Sequence, residues 1–348
     1  MVRTKFNNAP LSTQFKAHSK KVVEADIENE GNFDQVVSTG STLLDLAISG
    51  GVVRGGGIPG GIFVEIFGPP GAGKTVIISE IAYRIQKRGG EVKFCDPEGR
   101  LNPKFASLFG VDVTKIDYSR PNEISELFQA IYKWDPQPKG VMHALLADSL
   151  AALCSDVEMS GDDAYGARRA KQFSEGFRKT CRILANNNYI MIASNQIRDE
   201  FNAQGHGPKT KSSGGRAIPH YASLRLRCMT PAKITKKKKI AGSEQSRVIG
   251  TETSITVVKS SVWESWHEAP LTVIYDYGID DIRQNLQFIK DNTGGKIYTF
   301  DNEKLAVSLD ASIAIIEEEK LEKKLREETI DLWLEIEEQF KTERKRKR

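Results

Sequence analysis

Residues Gly68, Pro69, Pro70, Gly71, Ala72, Gly73, Lys74 and Thr75 fit the spacing GxxxxGK[ST]. Small residues in such a loop let backbone N–H groups turn inward on a phosphate. A helix opening at Lys74 adds its positive end. Lys74 then meets the β- and γ-phosphates of a nucleoside triphosphate, and the Thr75 hydroxyl ligates Mg2+. Further along, Asp148 closes the apolar run His143-Ala-Leu-Leu-Ala147. A carboxylate at the end of such a strand holds the same Mg2+ through water. Read singly, the first motif is a glycine-rich turn and the second a strand-end cap. Together, with a strand before the loop and a helix after it, they favour phosphate chemistry.

The elements that must position these groups are legible in the apolar pattern. Phe63–Phe67 reads as a strand, and Lys74 to about Lys87 as a helix with Val76, Ile77, Ile81 and Ile85 on one face. A strand at Val92–Cys95, helices near Pro103–Phe109 and Glu123–Trp134, and the run ending at Ala147 follow. Then come a long helix over about Ala167–Asn187 and a strand at Tyr189–Ala193. Alternating strands and helices with short apolar strands predict an α/β fold, a mostly parallel sheet flanked by helices. Beyond Ser223 the pattern turns β-rich, at Leu224–Met229, Glu252–Lys259 and Leu271–Tyr275, with a lysine-rich hairpin or loop around Lys233–Ser246. A small α/β unit ends the chain: a helix at Ile282–Lys290, a strand at Ile297–Phe300 and a final helix from about Ile313 to Phe340. Three regions are therefore expected: residues 1–37 as a small N-terminal polymerisation element and linker, 38–278 as the core, and 279–348 as a small C-terminal domain with a basic tail.

Composition narrows the class without choosing the function. Of 348 residues 39% are hydrophobic and 28% charged, as in ordinary globular proteins, and no apolar run approaches the roughly 20 residues of a membrane span. The first residues lack the apolar stretch of a secretory signal. Cys95, Cys154, Cys181 and Cys228 are scattered without metal-ligand spacing, which reads as reduced thiols of a cytoplasmic protein. The net charge of +4 is modest, but Lys236–Lys239 and Arg344–Arg348 concentrate it in two blocks. Each is either a solvated surface or a contact for a polyanion.

Further motifs carry a resemblance. Phe94-Cys-Asp-Pro-Glu-Gly-Arg-Leu-Asn-Pro103, Asp148-Ser-Leu-Ala-Ala-Leu153, Ser194-Asn-Gln-Ile-Arg198, Gly214-Gly215, Tyr221-Ala-Ser-Leu-Arg-Leu226 and Thr256-Val-Val-Lys259 occur in one order. That order resembles the RecA family of DNA strand-exchange recombinases over about residues 38–300. The resemblance implies a RecA-type ATPase core using ATP and Mg2+. It also implies a helical homo-oligomer on single-stranded DNA and exchange with homologous double-stranded DNA. Glu98 then corresponds to the family's water-activating glutamate, and Gln196 to the glutamine that senses the γ-phosphate. Phe105 and Tyr275 correspond to aromatics on the two faces of adenine, and Asn102 to a polar group at its edge. Lys259 is similar to a lysine that reaches the neighbouring protomer's ATP. The family has a second lysine two residues on, where this chain has Ser261.

The same resemblance assigns two DNA-binding loops. The first spans about Asp156–Gly166 and holds Tyr165; the second spans about Arg198–Arg216 and holds Phe201. Aromatic side chains there suit base stacking. Arg168, Arg169, Lys171, Arg178, Arg198 and Arg216, with the backbone of Gly214 and Gly215, would meet phosphates. Two other readings compete: a different RecA-fold motor, such as a DnaB-type helicase or KaiC-like ATPase, and a recombinase paralogue that exchanges no strands. The chain ends in bases where bacterial members typically end in acids, a departure that suits a divergent or virus-encoded member.

Overall fold

In a computed structural model, residues 35–155, 165–199, 210–213, 215–240, 243–301 and 303–344 are described. The expected polymerisation element at the N-terminus lies almost wholly outside them. The first elements are a short antiparallel pair, β1 (Val36–Val37) and β2 (Ile58–Pro59), around helix α1 (Thr42–Ser49). Ser41 caps α1 by accepting from the Leu44 amide.

Strand β3 (Phe63–Gly68) leads into helix α2 (Lys74–Lys87), and β4 (Val92–Cys95) into α3 (Pro103–Leu108). Next come β5 (Ile116–Ser119), α4 (Ile124–Tyr132), β6 (Ala144–Ala147), α5 (Tyr165–Asn187) and β7 (Ile190–Asp199). After the short β8 (Thr210–Ser212) and α6 (Ala217–Tyr221) lie β9 (Leu224–Cys228), β10 (Ala232–Ile240), β11 (Ser243–Ser260), β12 (Glu268–Ile274) and β13 (Gly278–Ile279). The strands form one sheet in the order β13-β12-β11-β9-β3-β7-β6-β4-β5, with β10 paired to β11 and β8 to β7. From β9 to β5 every pairing is parallel, and from β9 to β13 every pairing is antiparallel.

Both faces of the parallel part are apolar, because successive residues of a strand point to opposite sides. Val64, Ile66, Val92, Phe94, Leu146 and Ile192 pack with Ile77, Ile81 and Ile85 of α2 on one side. Phe63, Leu145, Met191 and Ala193 pack with Phe128 of α4 and with Phe173 and Phe177 of α5 on the other. Phe63 stacks on Phe177 with ring centroids 4.4 Å apart. The carboxyl ends of β3, β4, β6 and β7 therefore lie along one edge of a rigid layer, where ligands of open α/β sheets bind.

A third apolar cluster gathers Ile282, Leu286 and Ile289 of α7 (Asp281–Thr293) with Tyr298, Phe300, Ile316 and Leu325. Tyr298 precedes, and Phe300 belongs to, the small hairpin of β14 (Thr299–Phe300) and β15 (Glu303–Lys304). The final helix expected from about Ile313 to Phe340 is two helices, α8 (Leu309–Glu318) and α9 (Glu322–Phe340). Lys320 breaks it at a left-handed φ of 56°, and the Leu321 amide closes the turn on the Ile316 carbonyl. The break lets Ile316 and Leu325 reach the same small core, which one straight helix would not allow. Phe340 is 82% exposed at the end of α9.

Candidate active site and nucleic-acid interface

The phosphate-type loop occupies the turn from β3 to α2. Gly71 and Gly73 take left-handed φ values of 73° and 80°, and a Cβ on Gly73 would lie 2.8 Å from Leu271 Cδ2. Glycine is thus required by conformation at both positions and by packing at the second. Lys74 Nζ donates to the carbonyls of Gly68 (2.9 Å) and Pro69 (2.7 Å). Burial lowers its pKa against the opposing pull of Cys228, Asp148 and Glu98.

A cleft of about 290 Å³ opens over this loop, lined by residues from four strand ends. Thr75 Oγ1 donates to Asp148 Oδ2 at 2.7 Å, and Ser194 Oγ donates to the other carboxylate oxygen. Hydroxyl and carboxylate oxygens so placed fit a hard divalent cation such as Mg2+. Glu98 is 14% exposed, and three donors hold it: Ser149 Oγ at 2.8 Å, Gln196 Nε2 at 3.3 Å and the Arg100 guanidinium at 2.7 Å. Asn102 caps α3, its side chain accepting from the Lys104 and Phe105 amides. Half-buried Phe105 presents a ring to the cleft and packs edge-on to Phe109 at 5.0 Å.

Lys74, Thr75, Glu98, Asn102, Phe105, Asp148 and Gln196 are thus brought together, with Pro70 and Gly71. One expected member of the cleft is not: Tyr275 is 53% exposed just beyond β12, outside the cleft lining. Lys259, expected to serve a neighbour's ATP and not its own cleft, has Nζ donating to the Pro219 and His220 carbonyls at 2.9 Å each. Sequence reasoning had missed Arg100, Ser149 and Ser194. Their signal was adjacency: each is within two residues of a residue singled out for chemistry.

Behind the cleft, Glu65 is fully buried in β3 and pairs with Arg225 Nε of β9 at 2.6 Å. It also accepts from Asn195 Nδ2 at 2.8 Å, and that amide donates to the Ser213 carbonyl at 2.8 Å. Asn195 Oδ1 takes the Gln196 amide at 3.0 Å, and the Ser213 amide donates to the Gln196 carbonyl. Gln196 is therefore fixed on both sides of its backbone. It stands where β7 runs on beyond the sheet to pair with β8, Ile197 opposite Ser212.

The expected DNA contacts divide. Phe201 and Gly214 lie outside the described residues, as does most of each loop. Tyr165 opens helix α5 and does not belong to the preceding loop, while Arg198 belongs to β7, in register with Lys211. Arg168, Lys171 and Arg178 are exposed on α5, and Gly215 and Arg216 are exposed in the turn before α6. The two segments meet, since a Cβ on Gly215 would lie 3.1 Å from Ala170 Cβ. Arg169 is a correction. It is buried, its guanidinium donating to the Leu150 (3.0 Å), Ala151 (3.2 Å) and Leu153 carbonyls and lying over the Phe173 ring. Those acceptors occupy the head group expected to meet a phosphate. Arg182, not singled out in the sequence, extends the exposed basic face of α5.

Fold and site together define a phosphate-loop protein with a carboxylate poised beside the loop. The model of the RecA N-terminal domain matches residues 10–280, and this chain belongs to the RecA family. Protein RecA of Clostridioides difficile is 31% identical over 316 residues, covering 88% of this chain and 82% of the relative. Protein RecA of Deinococcus radiodurans is 31% identical over 303 residues, covering 84% and 78%. Protein RecA of Streptococcus sanguinis is also 31% identical, over 277 residues covering 78% and 69%. Among the described residues no helix is long and apolar enough to cross a membrane.

Proposed function

We propose that this protein is an ATP-dependent recombinase that assembles as a helical filament on single-stranded DNA and exchanges strands with a homologous duplex. One observation carries the reading: Gln196 Nε2 donates to Glu98 Oε1, so the root of the β7–β8 loop touches the carboxylate beside the phosphate loop. A shift at that root alters how Glu98 is held, which is what a DNA-dependent hydrolase needs.

In this reading the loop amides and Lys74 bind the phosphates of ATP, and Phe105 packs on its base. Thr75 and Asp148 would hold Mg2+, which neutralises charge on the phosphates when bound. Glu98 orients the attacking water and takes its proton. Ser149 and Gln196 aim the carboxylate, and Arg100 draws its second oxygen outward. Lys259, away from its own cleft, serves the ATP of an adjoining protomer, so that turnover depends on assembly. Arg168, Lys171, Arg178, Arg198 and Arg216 meet the phosphates of the single strand, with the Gly214–Gly215 backbone, while Tyr165 and Phe201 stack on bases. Electron microscopy with single-stranded DNA and a non-hydrolysable ATP analogue tests the assembly. A regular helical filament is expected, and discrete closed rings or isolated protomers would contradict it.

A further inference from the structure

The ribbon formed by β10 and the first half of β11 carries more positive charge than its own folding pairs. Between Ala232 and Val248 there are six cations (Lys233, Lys236, Lys237, Lys238, Lys239 and Arg247) and one carboxylate, Glu244. The ribbon alone therefore holds about five net positive charges against +4 for the whole chain, so the remaining residues are nearly neutral in sum. From Thr235 outward every described residue is exposed, so neither face packs on a core.

Register shows where the charges stand. Lys236 lies directly opposite Arg247, and Lys238 opposite Gln245, on one face. Lys237 opposes Ser246 and Lys239 opposes Glu244 on the other. Like charges directly across a two-stranded ribbon destabilise it, and an isolated two-stranded ribbon is marginal to begin with. Two lysines have partners, Lys236 with Asp310 at 3.4 Å and Lys237 with Glu244 at 3.3 Å, both exposed pairs of small worth. Lys233, Lys238 and Lys239 have no ion-pair partner among the described residues. A self-repelling ribbon kept in solvent gains from an external anion.

The chemistry of that anion can be read from what the ribbon lacks. No aromatic residue occurs between Ala232 and Val248, so it offers bases nothing to stack on, which disfavours a single strand as its ligand. A two-stranded ribbon is narrow enough for the roughly 12 Å major groove of duplex DNA, whose backbones present closely spaced phosphates on either side. Cations on both faces of one ribbon match phosphates on both walls of one groove. We propose that the β10–β11 ribbon docks duplex DNA by its phosphates, without reading sequence. The inference rests on the reading above for its purpose, giving the incoming duplex a surface separate from the loops assigned to the single strand.

The test uses the full chain carrying K236Q/K237Q/K238Q/K239Q, and a second variant with arginine at the same four positions. Fluorescence anisotropy with a labelled duplex and a labelled single strand is followed over a salt series. The glutamine variant is expected to lose duplex affinity by about ten-fold or more, with the log–log salt slope reduced by about two to four units. Single-strand affinity and single-strand-stimulated ATP hydrolysis should stay within about two-fold of the parent, and the arginine variant should bind duplex like the parent. Duplex binding unchanged in the glutamine variant, or an equal loss for both DNAs, overturns the proposal. So does tighter binding of poly-glutamate than of duplex, which would assign the ribbon to an acidic protein. A parent that binds duplex through the ribbon but neither binds nor responds to a single strand would instead sink the recombinase reading and leave the ribbon assignment standing.

Discussion

Replacing Arg169 by alanine separates a structural role from a DNA contact at the one basic residue where sequence and structure diverge. Its guanidinium donates to the carbonyls of Leu150, Ala151 and Leu153, the turn that follows Asp148 and Ser149, and lies 5.6 Å from the Phe173 ring centroid. A hydrogen bond from a charged donor contributes about 1.5–3 kcal/mol, and buried acceptors left unpaired add about 1–3 kcal/mol between them. Bonds that share one head group are not additive, so the expected loss is about 3–5 kcal/mol in total. For a chain of this length that corresponds to a melting temperature lower by roughly 4–7 °C. Arg169→Lys should recover little, because one ammonium cannot span three carbonyls. Urea unfolding monitored by circular dichroism gives the stability, and a salt series on the folded variant gives the number of phosphate contacts. The salt slope should be unchanged. A variant as stable as the parent, with a slope reduced by about one unit, would refute the structural assignment and restore Arg169 to the DNA interface.

Other outcomes follow from the cleft and its surroundings. Glu98→Gln should leave nucleotide binding intact and reduce DNA-stimulated turnover by about 10²-fold or more; a loss of only a few-fold, measured by phosphate release, counts against the water-activating role. Lys259→Ala should fold and bind nucleotide yet lose most ATP hydrolysis. Mixing it with Glu98→Gln should recover some activity where an intact Glu98 faces an intact Lys259, and no recovery in demonstrably mixed filaments argues against a role in trans. Asn195→Ala should weaken the coupling between DNA and hydrolysis, seen as a smaller stimulation ratio with the DNA-independent rate retained; an unchanged ratio removes it from the relay. Burial raises the Asp45 carboxyl to about 6, against hydrogen bonds from Ser38 and Thr39 and the charge of Arg326 that lower it. The folded state then holds a proton that the unfolded state has released, so stability falls as pH rises from about 4 to 6 and levels off above, by at most about 3 kcal/mol from this group. Asp45→Asn should flatten that fall in denaturation profiles, and an undiminished slope would assign it to other groups, such as Asp281, whose carboxyl burial also raises.

Much of the architecture was legible because the parallel strands are short, apolar and separated by helices of clear period. The bounds of α2 and β4 coincide with the apolar pattern, since Gly73 and Gly89–Gly90 delimit the helix and Asp96 ends the strand. The final helix misled because Leu321 and Leu325, and then Leu332, Ile336 and Phe340, keep a four-residue spacing, while the break before them depends on one left-handed lysine that no residue type marks. In the cleft, residues at strand ends were legible from their motifs. Arg169 was not, because an arginine among arginines at a helix start reads as surface charge until the turn it caps is seen in three dimensions. Asn195 and Glu65 were silent for a related reason: their partners lie on strands distant in sequence, Arg225 above all.

The central claim is that ATP-dependent chemistry at Glu98 and the β7–β8 loop serve strand exchange between homologous DNAs. Joint-molecule formation tests it most directly, using the full-length protein with ATP, Mg2+, a circular single strand and a linear duplex. Homologous duplex should give joint molecules, heterologous duplex none, and Lys74→Ala none with either. Single-strand-stimulated ATP hydrolysis without joint molecules under any of these conditions would contradict the account and point to a RecA-fold motor of another kind.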